Sequence, residues 1–207
     1  MNPGLKVSLV IGAYLLGSVP FGVLVTRLFA GKDVRQVGSG NIGASNVARA
    51  AGKGAGALTL LLDAAKGSLP MLLALHLFPK EDAVAAQGFA ALVGLAAFLG
   101  HIYPIWLRFR GGKGVATALG VFLVLAPLPA LLALAAFCVV FGATRVAALG
   151  SLSATAVGCI GLFAQALSAG GVWKSPAPWA GLFIALAIVA RHRSNIERLM
   201  KGVENKV

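Results

Sequence analysis

The residues best suited to chemistry in this chain lie in two glycine-rich stretches, GSGNIGASNVARAAGK at 38–53 and GGKG at 111–114. Glycine lets backbone N–H groups come close to a ligand. In the first stretch Ser39, Asn41, Ser45 and Asn46 add polar side chains, and Arg49 and Lys53 add positive charge. That mixture suits an oxyanion, above all a phosphate. In the second stretch Gly112 and Gly114 flank Lys113, just before an apolar run that starts at Val115. If a helix begins there, its free N–H groups, Lys113 and the Thr117 hydroxyl would hold a second anion. The alternative is a flexible loop whose cations only set topology. Neither stretch is a nucleotide P-loop, since none of the Gly-Lys pairs at 31–32, 52–53 and 112–113 is followed by Ser or Thr.

Four further groups carry chemistry. His192 and Asn195 stand three apart in Arg191-His192-Arg193-Ser194-Asn195, so on a helix they share a face and could meet one hydroxyl or phosphate. Glu197 follows His192 by five, which turns it away by ~140° on a helix and removes it as a partner. Asp63 and Lys66 lie inside an apolar run, where an ionisable group is a site candidate; their i,i+3 spacing favours a self-neutralising pair. His101 closes an apolar segment beside Tyr103 and Pro104, a place where a lone histidine is more often structural than catalytic. Cys138 and Cys159 fall in apolar segments without CxxC spacing or a histidine nearby in sequence, so buried structural thiols are expected, with no metal site and no disulfide.

The elements that must position these residues are membrane helices. Of 207 residues, 58% are hydrophobic and only 12% charged, against about a quarter charged in soluble domains; mean hydropathy is +0.89. The fold class is therefore all-α polytopic membrane protein, with one domain over 1–207. Spans are expected at 5–29, 55–78, 83–100, 115–126, 130–142, 148–168 and 179–190. The fourth and fifth, divided by Pro127-Leu128-Pro129, reach only ~20 Å each, short of a ~30 Å hydrocarbon core. They are two short spans or a re-entrant pair, which gives seven transmembrane helices or five plus a hairpin. Pro20 should kink the first span, which is too long for a signal peptide and carries its cations after the run. Lys80-Glu81-Asp82 reads as an outer turn, and 170–178, with Trp173 and then Trp179, as an outer interfacial loop. Much of the glycine, 27 residues, is expected at close helix crossings.

The formal charge of +12 raises nucleic acid as a partner, but its placement argues otherwise. Segments 31–54, 101–113, 143–150 and the tail from 191 hold 13 of the 18 Lys and Arg. By the positive-inside bias that side is cytoplasmic, with the N-terminus outside and the C-terminus inside. The basicity is then largely topological.

Four stretches taken together resemble the bacterial acyl-phosphate-dependent glycerol-3-phosphate acyltransferases, which are integral membrane enzymes of the inner membrane. They are GSGNIGASNVARAAGK with LLDAAKG after it, GHIYPIWLRFRGGKGVAT, the segment from Thr144-Arg145 to LGSLSA, and RHRSNIERLMKGVENK. They cover around half the chain, in the expected order. The resemblance implies transfer of an acyl chain from acyl-phosphate to the 1-hydroxyl of sn-glycerol 3-phosphate, giving lysophosphatidic acid and phosphate, the first step of phospholipid synthesis. It implies no metal, no cofactor, no direct donation from coenzyme A or a carrier protein, and a cytoplasmic active site. Ser39, Asn41 and Arg49 would hold one phosphate, and Gly112, Lys113, Gly114 and Thr117 another. His192 and Asn195 would orient the glycerol hydroxyls or the attacking oxygen. Relatives commonly have a serine where Ala148 stands here, leaving Ser151 and Ser153 as substitutes. The small chain has no spare domain for partners, which is consistent with a monomer. Two other readings stand beside this one: a transporter of phosphorylated solutes, and a scaffold binding anionic lipid through its basic face.

Overall fold

A computed structural model describes residues 2–78 and 82–206 of the chain. The described residues form ten α-helices: α1 (Pro3–Ser18), α2 (Phe21–Ala30), α3 (Ala44–Ala51), α4 (Lys53–Leu77), α5 (Ala83–Ile102), α6 (Val115–Leu125), α7 (Pro127–Thr144), α8 (Ala147–Ser168), α9 (Ala177–Arg191) and α10 (Arg193–Met200). Five segments are long and apolar enough to cross a membrane: Pro3–Ala30, Lys53–Leu77, Ala83–Leu107, Pro127–Thr144 and Ala147–Ser168. α6 and α9 are shorter apolar helices.

The expected kink in the first span is a full break, with Val19 extended between α1 and α2. The Lys80-Glu81-Asp82 turn lies outside the described residues except for Asp82, whose carboxylate caps α5 by accepting from the Ala85 N–H at 2.9 Å. The first glycine-rich stretch, which falls between two expected spans, contains a helix of its own, α3. Pro127 and Pro129 do not separate two short helices; they open α7, because a first-turn proline lacks only an N–H that has no intrahelical partner anyway. α7 thereby reaches 18 residues, roughly 27 Å of rise, and of the two only α6, at 11 residues, is short. The break between them falls at Ala126, which is buried.

Cys138 is exposed and Cys159 half-buried, so neither is the buried thiol expected; on a lipid-facing helix a thiol serves as a small apolar group.

One core joins α1, α4, α5, α6 and α9 through Ala13, Met71, Val93, Phe98, Val121 and Ile184. A second, of Val23, Val34, Ile42 and Val47, fastens α3 and the segment before it onto α2. α6 lies so close to α4 that a Cβ on Gly120 would overlap the Ala64 carbonyl oxygen. Gly120→Val should therefore push the helices apart and lower stability by about 1–3 kcal/mol, readable as a lower thermal midpoint in detergent. At the other end of the bundle Trp173 stacks on Trp179 at 5.1 Å between ring centres, as aromatic residues do at membrane surfaces.

Candidate active site

The 31–43 segment is built by local polar contacts. Asp33 caps a short 3₁₀ turn by accepting from the Arg35 N–H at 3.0 Å, and its ion pairs with Arg35 and Arg27 hold the carboxyl well below the usual range. Asn46 then gathers the segment onto α3. Its amide donates to the carbonyls of Val34 (3.0 Å), Val37 (2.9 Å) and Asn41 (2.9 Å), while its oxygen accepts from the Ser39 N–H at 3.2 Å. Asn46 is thus committed to the loop, and Asn41 is half committed, its Oδ1 accepting from the Gly43 N–H at 2.8 Å. Asn46→Asp should be worse than Asn46→Ala, since it sets a carboxylate against three carbonyl oxygens. The alanine alone should cost about 1–3 kcal/mol, and faster amide hydrogen exchange confined to 34–43 would report it.

The 103–114 loop is clamped from two sides. Gly112 and Gly111 donate to the carbonyls of His101 and Ile102 at 3.1 Å each. Arg191 donates to the carbonyls of Gly112 (3.2 Å) and Gly111 (2.9 Å). A side chain on Gly112 would overlap the His101 ring. Gly114, with φ +84°, is the N-cap of α6, a left-handed position that glycine takes without strain. The first turn of α6 therefore points its unbonded N–H groups out of the helix beside Lys113.

Both loops open on one cavity. Its polar end holds Ser39, Asn41, Ser45, Asn46, Arg49, Lys113, Gly114, His192 and Asn195, with Asp63 and His101 also in the wall. Its apolar end runs between α6, α7 and α8, past Leu119, Phe122, Leu134 and Phe137. Ala148 and Ser151 also line it, and the Ser151 hydroxyl donates to the Ala147 carbonyl at 2.8 Å; Ser153 is not in the lining. Three of the expected site residues are not in it either: Gly112, Lys66 and Thr117. Thr117 is fully buried, and its hydroxyl has no hydrogen-bond partner among the described residues; it packs where Gly67 of α4 meets α6.

At the polar end Lys113 Nζ donates to Asn195 Oδ1. Asn195 Nδ2 donates to Glu204 at 2.8 Å, and Arg198 Nε donates to the other Glu204 oxygen at 2.8 Å. Burial lowers the Lys113 pKa to about 8, against the pull of Glu204 and with the nearby Arg198, Arg49 and Arg191 charges adding to the fall. His192 donates from Nδ1 to the Ile188 carbonyl at 2.9 Å, because a carbonyl can only accept. Its Nε2 is then a bare acceptor. Burial, then the Lys113 charge, push its pKa down to about 4, so the ring is neutral at pH 7. Glu197 pairs with Arg193 on the exposed side of α10, away from the cavity.

Arg191, Arg198 and Glu204 were not among the expected site residues. Within a basic tail the two arginines read as topology. Glu204 did leave a signal, as one of only two acids after position 190.

The deeper charges lie together. Lys66 Nζ is 2.9 Å from Asp63 Oδ1, and His101 Nδ1 is 3.6 Å from the same oxygen.

A family model described as glycerol-3-phosphate acyltransferase matches residues 7–202. A glycerol-3-phosphate acyltransferase of Anaeromyxobacter sp. (strain Fw109-5) is 55% identical over 199 residues, covering 96% of this chain and 95% of its own. Among solved structures, PlsY (YgiH), an integral membrane glycerol 3-phosphate acyltransferase, is similar in its glycerol 3-phosphate form, with TM-score 0.86, 40% identity and coverage of 98% of this chain and 95% of that one. Its lysophosphatidic acid form is similar at TM-score 0.83 and 38% identity, covering 97% and 94%. With the matched region spanning nearly the whole chain, and the cavity's two loops inside it, this protein belongs to the glycerol-3-phosphate acyltransferase family.

Proposed function

We propose that the chain transfers an acyl group from acyl-phosphate to the 1-hydroxyl of sn-glycerol 3-phosphate, releasing lysophosphatidic acid and inorganic phosphate. The observation that carries this reading is one cavity with two glycine-rich loops and the cations Arg49 and Lys113 at its polar end and an apolar arm behind them. Ser39, Asn41 and Arg49 hold one phosphate. Lys113 and the first-turn N–H groups of α6 hold the other, and the arm between α6, α7 and α8 takes the acyl chain.

The glycerol hydroxyl oxygen attacks the acyl carbonyl carbon, the bond from that carbon to the phosphate oxygen breaks, and phosphate leaves. Acyl-phosphate brings its own leaving group, so the protein's share is to bring two anions together and offset their repulsion. Arg49, Lys113, Arg191 and Arg198 supply the positive charge. His192 Nε2 accepts from the C2 hydroxyl of the glycerol and so orients the attacking C1 hydroxyl, whose own proton stays free to leave. With its pKa near 4, His192 is a weaker base than a phosphate monoester, whose second pKa is about 6. The proton therefore goes to the phosphate of glycerol 3-phosphate.

Every residue used here comes from one chain, so a single-domain monomer suffices. The basic end faces the cytoplasm of a bacterial inner membrane, with seven crossings: α1 with α2, then α4 to α9 singly. The N-terminus is outside and the C-terminus inside.

Purified protein given palmitoyl-phosphate and glycerol 3-phosphate should release phosphate and lysophosphatidic acid in equal amounts, while palmitoyl-coenzyme A gives no lipid product. Phosphate without lipid would make the protein a hydrolase. Neither product from folded protein would turn attention to transport.

The pKa of Lys113 gives a further expectation. The lysine binds phosphate as a cation, so kcat/KM, which reports the free enzyme, should fall as pH rises through about 8. A flat kcat/KM across that range would remove Lys113 from substrate binding.

A further inference from the structure

We infer that Asp63, Lys66 and His101 form a buried ionic spacer that sets the separation of the two anion-binding loops, with Asp63 and His101 as positioning residues for acyl transfer. The inference rests on the reading of the cavity given above.

A pair of opposite charges three residues apart on α4 could be self-sufficient. What each group touches beyond its partner says otherwise. Lys66 Nζ donates to the Val19 carbonyl at 3.0 Å, at the break between α1 and α2, and lies over the Phe21 ring, 5.6 Å from its centre. Asp63 turns the same oxygen that meets Lys66 toward His101 Nδ1. The far edge of the His101 ring lies against Gly112, and the His101 carbonyl accepts from the Gly112 N–H. The contacts thus run from the α1–α2 break through Lys66, Asp63 and His101 to Gly112.

Each end of that chain is one step from a phosphate loop. On one side, α2 leads into the 31–43 segment and packs on it so tightly that a Cβ on Gly22 would overlap the Ile42 carbonyl oxygen. On the other, Gly112 is bonded to Lys113. The side chains of Lys66, Asp63 and His101 are 1%, 2% and 3% exposed, and Asp63 and His101 reach the cavity wall. Asp63 Oδ1 and His101 Nδ1 have no hydrogen-bond partner of normal geometry among the described residues. Apolar residues of similar volume would hold a crossing of helices at least as well as such a cluster. The ionic cluster's distinct property is geometric: it holds three elements to one point through charge contacts, anchored at its ends by the hydrogen bonds of Lys66 to Val19 and of Gly112 to His101.

The test separates stability from rate. Asp63→Asn alone leaves Lys66 a buried unpaired cation and destabilises the protein for that reason. The double variant Asp63→Asn with Lys66→Met removes both charges at similar volume. It should keep a thermal midpoint near wild type in detergent yet lose acyl transfer about 100-fold, the cost of a misplacement near 1 Å. Most of that loss should fall on kcat, because the groups that touch phosphate remain.

His101→Gln leaves the Asp63–Lys66 pair whole, and the same loss is expected. If the double variant fails to fold, His101→Gln decides the matter. Folded variants that turn over at the wild-type rate beside an active wild type overturn the spacer alone. A wild type that makes no lysophosphatidic acid overturns the reading of the cavity, and the spacer with it.

Discussion

Lys113→Ala should lower kcat/KM for acyl transfer by about 10²–10³-fold while leaving the folded protein intact. The side chain is only partly buried, and among the described residues its one hydrogen bond is to Asn195 Oδ1. Asn195 keeps its second contact, through Nδ2 to Glu204, so little of the packing depends on the lysine. What is lost is a cation at the N-terminus of α6, where the helix dipole and that charge act on the same anion. Lys113→Arg should restore only part of the rate. It keeps the charge, but a planar fork cannot replace a compact ammonium beside Arg49, Arg191 and Arg198. Steady-state kinetics with each substrate varied, alongside a thermal melt, make the check. Lys113→Ala at the wild-type rate would remove the loop from the chemistry.

Loss of His192 should be comparably severe. His192→Ala should reduce kcat by about 10²-fold, because the glycerol loses the acceptor that holds its C2 hydroxyl and so aims the C1 hydroxyl. The pH profile tells the orienting role from a base role. If His192 were the base, the acid limb of kcat/KM would follow its pKa of about 4. With the substrate phosphate as base, the limb lies near the second ionisation of a phosphate monoester, about 6. It should also move when glycerol 3-phosphate is replaced by its phosphonate analogue. A limb that stays put between the two acceptors would return the proton to the protein.

Much of this arrangement is readable in the chain, and the misses have local causes. Apolar runs mark the spans because only helices or closed barrels satisfy backbone groups in lipid. The region from 115 to 144 misled because proline belongs to the helix it starts. Pro20 caps α2 after the break at Val19, and Pro127 opens α7 after the break at Ala126, so the prolines belong to the second element rather than lying between two. α3 was hidden by glycines on both sides and by a run of small residues.

Site residues were recognised by type, and type does not say what a side chain is committed to. Asn46 looked like a ligand, but the three carbonyls it binds are brought to it by the fold, from residues 5 to 12 positions away. Arg191 looked like a topological charge, but it clamps glycines about 80 positions earlier. Such contacts across distant elements decide roles here, and no local pattern encodes them. The carry-over of Thr117 shows the same limit. Its place in the first turn of α6 suggested a hydroxyl at the anion, yet the helix phase turns it toward α4.

The central claim is that the hydroxyl of glycerol 3-phosphate, held in this cavity, attacks the acyl carbon of an acyl-phosphate. Heavy oxygen placed at the C1 hydroxyl of glycerol 3-phosphate tests it most directly, with the lysophosphatidic acid and the phosphate both read by mass spectrometry. The account predicts that the label stays in the ester of the lipid and that the released phosphate carries none. Label in the phosphate, or a lipid ester without it, would mean that a different bond is made and broken, and would contradict the account.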